Sequence, residues 1–229
     1  MSSKISIEIF TDHASPSLDP AIGRQGLELI NSITNDRFEI IRDTRRVRLG
    51  EPDRPTIESS KVDLLRLKKS SPASFAIVLT SRPLSLPDTP QNQSITGYAE
   101  RFQGLDSGAA VVSTRGGEAQ LTLAHEMGHL VGMRYQTESP TLDPDSHCQT
   151  ETCLMHGTHE VMPGETLRVV KRGIANWLER RGYVPADYSK SPDQRSSTSF
   201  CQPCIDQMGR RAFFLAKHLA GDYVPAEWL

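Results

Sequence analysis

The chain is poor in the residues that mark an unusual environment or partner. It contains four cysteines, its aromatic content is 6%, and its net charge at pH 7 is −2, from 26 basic and 28 acidic residues. Charges this evenly balanced indicate no basic surface for nucleic acid or for an anionic membrane, so we expect neither partner. No apolar run approaches the ~20 residues that cross a bilayer, and we therefore also expect a soluble protein.

The first residues lack the pattern of a secretory signal. Residues 1–9 show no basic stretch followed by an apolar run of about 7–15 residues. We therefore expect a cytoplasmic protein whose cysteines stay reduced. With 229 residues and 37% hydrophobic content, the chain can bury one sizeable core. The prediction is a single domain over residues 1–229, with an upper lobe at about 1–132 and a lower lobe at about 133–229.

What the chain does contain is a metal-binding pattern, HEMGH at residues 125–129. Residues four apart share a helix face, so His125 and His129 can point at one metal ion while Glu126 faces its open side. Flanking apolar residues and glycines predict a buried helix at about 118–131. The pattern is the H-E-x-x-H of zinc metalloproteases. The other interpretation is a core helix whose histidines bind no metal, although Glu126 would then be costly to bury.

A catalytic zinc usually has three protein ligands, so a third must be found. The extended pattern H-E-x-x-H-x-x-G-x-x-H would place it at position 135, which is Tyr135. Further along, residues 147–155 read HCQTETCLM and residues 200–204 read FCQPC. The succession H-E-x-x-H-x-x-G, H-C-x-x-x-x-C-x-M and C-x-x-C resembles the archaemetzincin family of zinc peptidases.

The resemblance implies a fold and a set of site residues. The fold would be α/β (α+β) and metzincin-like, with a mixed twisted sheet and helices in the upper lobe and a smaller, mainly helical, zinc-stapled lower lobe. The third zinc ligand would be His147, and residues 135–146 would be an inserted surface loop. Met155 would form the Met-turn, in which a thioether fills an apolar gap beneath the metal. Met162 is a rival for that place, without the same spacing from a cysteine.

Other residues stay open as the third zinc ligand. His156 and His159 follow the proposed Met-turn, although a loop histidine is usually a solvated surface residue. Asp143 or Asp145 could bind as carboxylates, as in sites with two histidines and one acid. Tyr135 could bind through its phenol, but an amphipathic side chain packed at a loop edge is its more ordinary role.

The cysteines form a second candidate site, and all of them belong to the motif: Cys148, Cys153, Cys201 and Cys204. Their paired spacing is typical of a closed, tetrahedral structural zinc site. Two disulfides are the alternative, which the absence of a secretory signal disfavours. Since His147 adjoins Cys148, a second metal would help to hold the third ligand in place after the long insertion. The prediction is two zinc ions, one catalytic and one structural.

Alternating and helical apolar patterns predict a mixed order of elements. The predicted strands are Ile5–Phe10, Phe38–Leu49, Phe75–Leu79, Ile95–Phe102 and Ala109–Ser113. Besides the helix with the zinc pattern, the predicted helices are Ile22–Ile33, Lys61–Lys69, about 165–181 and about 203–220. The cysteine-rich half should therefore be mainly helical.

These residues predict a zinc-dependent metallopeptidase. Zinc held by neutral imidazoles would activate a bound water, and Glu126 would act as its general base. The resemblance further suggests that an edge strand, Ile95–Phe102, binds a peptide or protein substrate by strand addition. Two alternatives stay open: an inactive zinc-binding protein that recognises a partner through the same cleft, and a zinc hydrolase of small amides. The sequence assigns no oligomeric state.

Overall fold

The computed structural model describes residues 4–19, 21–50, 57–84, 96–102, 107–115, 118–132, 148, 153–155 and 200–225. The strands in this part of the chain are β1 (Ile5–Asp12), β2 (Phe38–Val47), β3 (Phe75–Thr80), β4 (Gly97–Arg101) and β5 (Gly108–Ser113). The helices are α1 (Ala21–Thr34), α2 (Ile57–Ser70), α3 (Ala119–Leu130) and α4 (Gln202–Leu219). None of these helices is both long and apolar enough to cross a membrane.

The strands form one mixed sheet in the order β2-β1-β3-β5-β4. β2, β1, β3 and β5 are parallel, and β4 pairs antiparallel with β5 at one edge. Every residue of β3 and β5 is buried. These strands are short apolar runs because a parallel sheet is covered on both faces.

Alternate side chains of the strands enter two separate cores. Ile7 and Ile77 point to the face covered by α1, α3 and α4. Phe10 and Val78 point to the opposite face, where they meet Leu64 of α2. The result is a sheet between two helical layers. Because α3 contacts β4 and β5, the HEMGH pattern lies beside the antiparallel edge strand.

The mixed α/β class predicted from sequence is confirmed, as are the central parts of the predicted elements that lie within the described residues. The helix predicted at about 203–220 is α4. Helix α2 begins at Ile57, four residues before the predicted start at Lys61. The sequence pattern missed this first turn because its residues are mostly polar and the apolar repeat starts only at Val62. The helix predicted at about 165–181 lies outside the described residues. The division into upper and lower lobes therefore stays a prediction.

Candidate metal centres

Helix α3 carries the HEMGH pattern and ends immediately after it. Ala124, Met127 and Leu130 are buried against the sheet and anchor the helix. Gly132 has φ +81°, and its N–H donates to the carbonyl of His129 at 2.9 Å. A left-handed residue after the last turn is a common helix terminator, and glycine adopts it without strain. The glycine of H-E-x-x-H-x-x-G thus ends the helix one turn after the second histidine.

The two histidines of α3 point their outer nitrogens at a common position. The Nε2 atoms of His125 and His129 are 3.0 Å apart. Two imidazoles on one tetrahedral zinc, with Zn–N distances of ~2.0–2.1 Å, would have nitrogens ~3.3 Å apart. The observed separation is close to this value, so the pair fits two ligands of a single ion.

The opposite nitrogen of His125 is held by the backbone. Its Nδ1 lies 2.8 Å from the carbonyl oxygen of Leu154. A carbonyl can only accept, so the proton belongs on Nδ1 and the lone pair of Nε2 faces the shared position. Metal-binding histidines in proteins commonly have such a partner, which fixes the ring and its tautomer.

Glu126 follows His125 on α3 and lies against the edge strand. Its side chain is buried, and Gly97 of β4 packs directly on it. A Cβ atom at Gly97 would overlap Oε1 of Glu126 and would lie 2.8 Å from Cγ2 of Thr122. The missing side chain therefore lets the backbone of β4 approach the carboxylate closely.

Met155 packs against α3 from another side. It is fully buried, and its Sδ is 2.5 Å from where a Cβ would stand at Gly128, with Cε of Met208 3.1 Å from the same point. Gly128 thus leaves the room that the thioether occupies on the helix with the two histidines. An ordinary core methionine packs in nearly the same way, so the Met-turn stays a prediction. Its rival, Met162, lies outside the described residues.

The four cysteines come together in one cluster. All four sulfur atoms lie within 4.8 Å of one another. The distances are 3.6 Å for Cys148–Cys201, 3.4 Å for Cys153–Cys204 and 3.3 Å for Cys201–Cys204. A disulfide would require ~2.05 Å, whereas thiolates on a tetrahedral zinc at ~2.3 Å would be ~3.8 Å apart. The cluster therefore has the donor set and spacing of a four-cysteine metal site.

One thiol of the cluster favours its ionised form. Its hydrogen bond with Cys204 is the main cause that lowers the pKa of Cys153 to about 5, against the opposing effect of burial, with further hydrogen bonds from the backbone of Cys201 and Met155. The Cys201 N–H donates to Cys153 Sγ at 3.3 Å. The thiolate is the form that binds metal, so the lowered pKa suits a ligand.

A three-residue segment joins the two candidate sites. Cys153 belongs to the sulfur cluster, Leu154 accepts the hydrogen bond from His125, and Met155 packs on α3. The N–H of Cys148 donates to the carbonyl of Met155 at 2.8 Å, which ties the first cysteine to the same segment. The position of the His125 ring is thus connected to the cysteine cluster through the peptide unit between Cys153 and Leu154 and the Leu154 carbonyl.

The remaining predicted ligands lie outside the described residues: His147, Tyr135, Asp143, Asp145, His156 and His159.

The sequence did not predict the role of the Leu154 carbonyl, since any residue type offers one. It also gave Gly97 no role, although a glycine in a strand often marks a close backbone approach.

No protein-family model and no curated relative match the chain. Comparison with solved structures nevertheless defines the fold, which is similar to that of an archaemetzincin. The archaemetzincin of Methanopyrus kandleri is 18% identical, with 91% of this chain and 95% of that chain covered at a TM-score of 0.53. A zinc-dependent peptidase of Methanocorpusculum labreanum is 16% identical, with 88% and 99% covered at a TM-score of 0.48. At such low identity the likeness to the archaemetzincin shows the fold alone, and this fold is the one that the sequence motifs predict.

Proposed function

We propose that this protein is a zinc-dependent peptidase. The observation that carries the proposal is the convergence of the His125 and His129 Nε2 atoms to 3.0 Å, on a helix that also carries the buried Glu126. Two neutral imidazoles, one acid and a zincin-like fold are the parts from which metal-assisted amide hydrolysis is built. His147 is the third ligand in this proposal, on the strength of its place in the sequence motif.

Glu126 is the general base of the proposed reaction. Zinc, when bound, polarises the scissile carbonyl and lowers the pKa of water. Glu126 takes the proton from the attacking water and later delivers it to the departing amine. Its position between α3 and β4 supports this role, because the contact with Gly97 restrains the carboxylate at the strand where a substrate would lie.

The substrate is an extended peptide bound along β4. This strand is at the edge of the sheet and pairs on one side with β5. An edge strand offers backbone donors and acceptors to an added strand, which gives affinity with little dependence on sequence. Since Gly97 contacts Glu126, the scissile bond would lie near the start of β4.

The cysteine cluster is a second, structural zinc site in this proposal. Its four sulfurs leave no position for a substrate, because a tetrahedral site of four thiolates is closed. The cytoplasm, whose reducing conditions keep such thiols available for metal, is the compartment we propose.

A peptide library incubated with the purified protein, with and without a zinc chelator, tests the proposed function. We expect cleavage that the chelator abolishes and that added zinc restores. Cleavage of simple amides without cleavage of peptides would favour the amide-hydrolase alternative. Peptide capture without any turnover would favour the inactive binding protein.

A further inference from the structure

A cavity of about 360 Å³ opens at the carboxyl ends of three parallel strands. Each strand contributes residues where it ends, and together they line the cavity: Asp12 at the end of β1 with His13 and Ala14 after it, Arg48 and Leu49 after β2, and Arg82 after β3. We call it the switch-point cavity, because of where it lies in the topology.

The path of the chain explains why a cavity forms there. β1 has β2 on one side and β3 on the other, so the chain moves one way along the sheet through α1 and then back past β1 through α2. The helices α1 and α2 cover opposite faces of the sheet. Connections that leave in opposite directions separate above the strand ends, and ligands of open α/β sheets bind in the crevice that results.

The floor of the cavity is a buried, hydrogen-bonded ion pair. Asp12 is fully buried and Arg82 is 8% exposed, and Arg82 Nε donates to Asp12 Oδ2 at 2.7 Å. Arg82 Nη2 also donates to the carbonyl of Leu49, and the Thr80 hydroxyl donates to the same Asp12 oxygen. These bonds fix the guanidinium group, and Asp12 balances its charge.

The rim of the cavity is basic. The N–H of His13 donates to the carbonyl of Val47 at 2.7 Å, so His13 leaves β1 beside Arg48, the residue after Val47. Both rim side chains are exposed. Since the charges of Asp12 and Arg82 offset each other, Arg48 gives the lining its net positive charge.

The cavity is separate from the candidate zinc site. Leu49 of its wall belongs to the core on the α2 face, whereas α3 and its histidines lie on the opposite face of the sheet.

We propose that the switch-point cavity binds a small organic anion carrying a carboxylate or a phosphate group. Arg48 and His13 hold the anionic group at the rim, because guanidinium N–H groups match the oxygens of both anions. The rest of the molecule fills the space above the Asp12–Arg82 floor. A volume of about 360 Å³ is within the usual range for small-molecule sites, ~300–1,000 Å³.

The test is a titration of the ¹⁵N-labelled, zinc-loaded protein followed by NMR, at constant ionic strength. The probes are benzoate, phenyl phosphate and the neutral benzyl alcohol. We expect at least one of the two anions to shift the amide signals of residues 12–14 and 48–49, and benzyl alcohol to leave them unchanged. The anion that binds more tightly identifies the preferred group.

Arg48→Gln is expected to weaken binding of the better probe about tenfold, which is about 1.4 kcal/mol. Arg46→Gln is the matched control, because Arg46 is an exposed arginine of β2 outside the cavity lining. Equal losses in the two variants would overturn the proposal, since they would show attraction to general positive charge. Amide shifts confined to the residues of α3 would also overturn it. So would the absence of amide shifts with either anion at about 10 mM, a concentration at which even a weak site is detectably occupied.

Discussion

The Nδ1 atom of His125 lies 2.8 Å from the backbone carbonyl of Leu154, the residue that follows Cys153 of the sulfur cluster. One peptide unit thus separates a thiol of one candidate metal site from the atom that orients a ligand of the other. If the cysteine cluster loses its metal, the Leu154 carbonyl is the first group expected to move. The two sites should therefore be coupled.

The coupling predicts that Cys153→Ser weakens zinc binding at the histidines as well as at the cysteines. Loss of the partner of a metal-binding histidine usually costs about 10- to 100-fold in metal affinity. Competition with a chromophoric chelator measures the affinity at each site. Thermal unfolding of the same variant shows whether it stays folded. Unchanged zinc affinity at the histidines in a folded Cys153→Ser protein would contradict the coupling.

Two zinc ions should be present per chain when the protein is purified under reducing conditions. Three histidine ligands and four cysteine ligands are the predicted sets, and elemental analysis counts the metal directly. Cys204→Ser should lower the content to one ion, since Cys204 is a fully buried member of the cluster. A wild-type content of one or none would show that the two-site prediction is wrong.

Glu126→Gln should keep its zinc and lose about 100-fold or more in hydrolysis rate. The amide has nearly the same shape as the carboxylate but cannot take a proton, and positioned acid–base groups contribute about 10²- to 10⁴-fold. Glu28→Gln, which changes an exposed residue of α1, is the control and should cleave at the wild-type rate. Wild-type turnover in Glu126→Gln would remove Glu126 from the role of base.

His147→Ala should weaken zinc binding at the α3 histidines and abolish turnover, whereas Tyr135→Phe should change neither. The reason is that removing one of three ligands costs far more than removing a hydroxyl group from a residue that is not a ligand. Zinc content and peptide cleavage of the two variants give the comparison. An experimental structure in which the metal is held instead by Tyr135, Asp143, Asp145, His156 or His159 would refute the assignment.

Gly97→Ala should lower kcat/KM about 10- to 100-fold while zinc content stays the same. The added methyl group would overlap the Glu126 carboxylate, and a displacement of about 1 Å at a catalytic group can cost 10²-fold. Gly209→Ala is a suitable control, because the atom nearest to its added Cβ is the carbonyl of Ile33 at 3.4 Å. Normal activity in Gly97→Ala would mean that β4 does not restrain Glu126.

Local features of the fold could be predicted from sequence because they depend on neighbouring residues. The helix predicted at 118–131 is observed at Ala119–Leu130, since the apolar residues and flanking glycines that define it are all within reach of one another. The strands β3 and β5 could be predicted for the same reason, since each is a short run of mainly apolar residues. The spacing of the cysteines also indicated their clustering, because four thiols in paired motifs have few other stable arrangements in a reducing environment.

The sequence by itself thus determined the elements seen in the described residues and the residue types that they bring together, the two histidines of α3 and the four cysteines. Only the tertiary structure decided which backbone groups complete them. Strand order, the approach of Gly97 to Glu126 and the Leu154 carbonyl beside His125 all join residues far apart in the chain. A carbonyl group is common to every residue, and a close approach depends on the packing of two elements, so neither has a residue-type signature. The switch-point cavity arises in the same way, from the direction in which α1 and α2 leave the sheet.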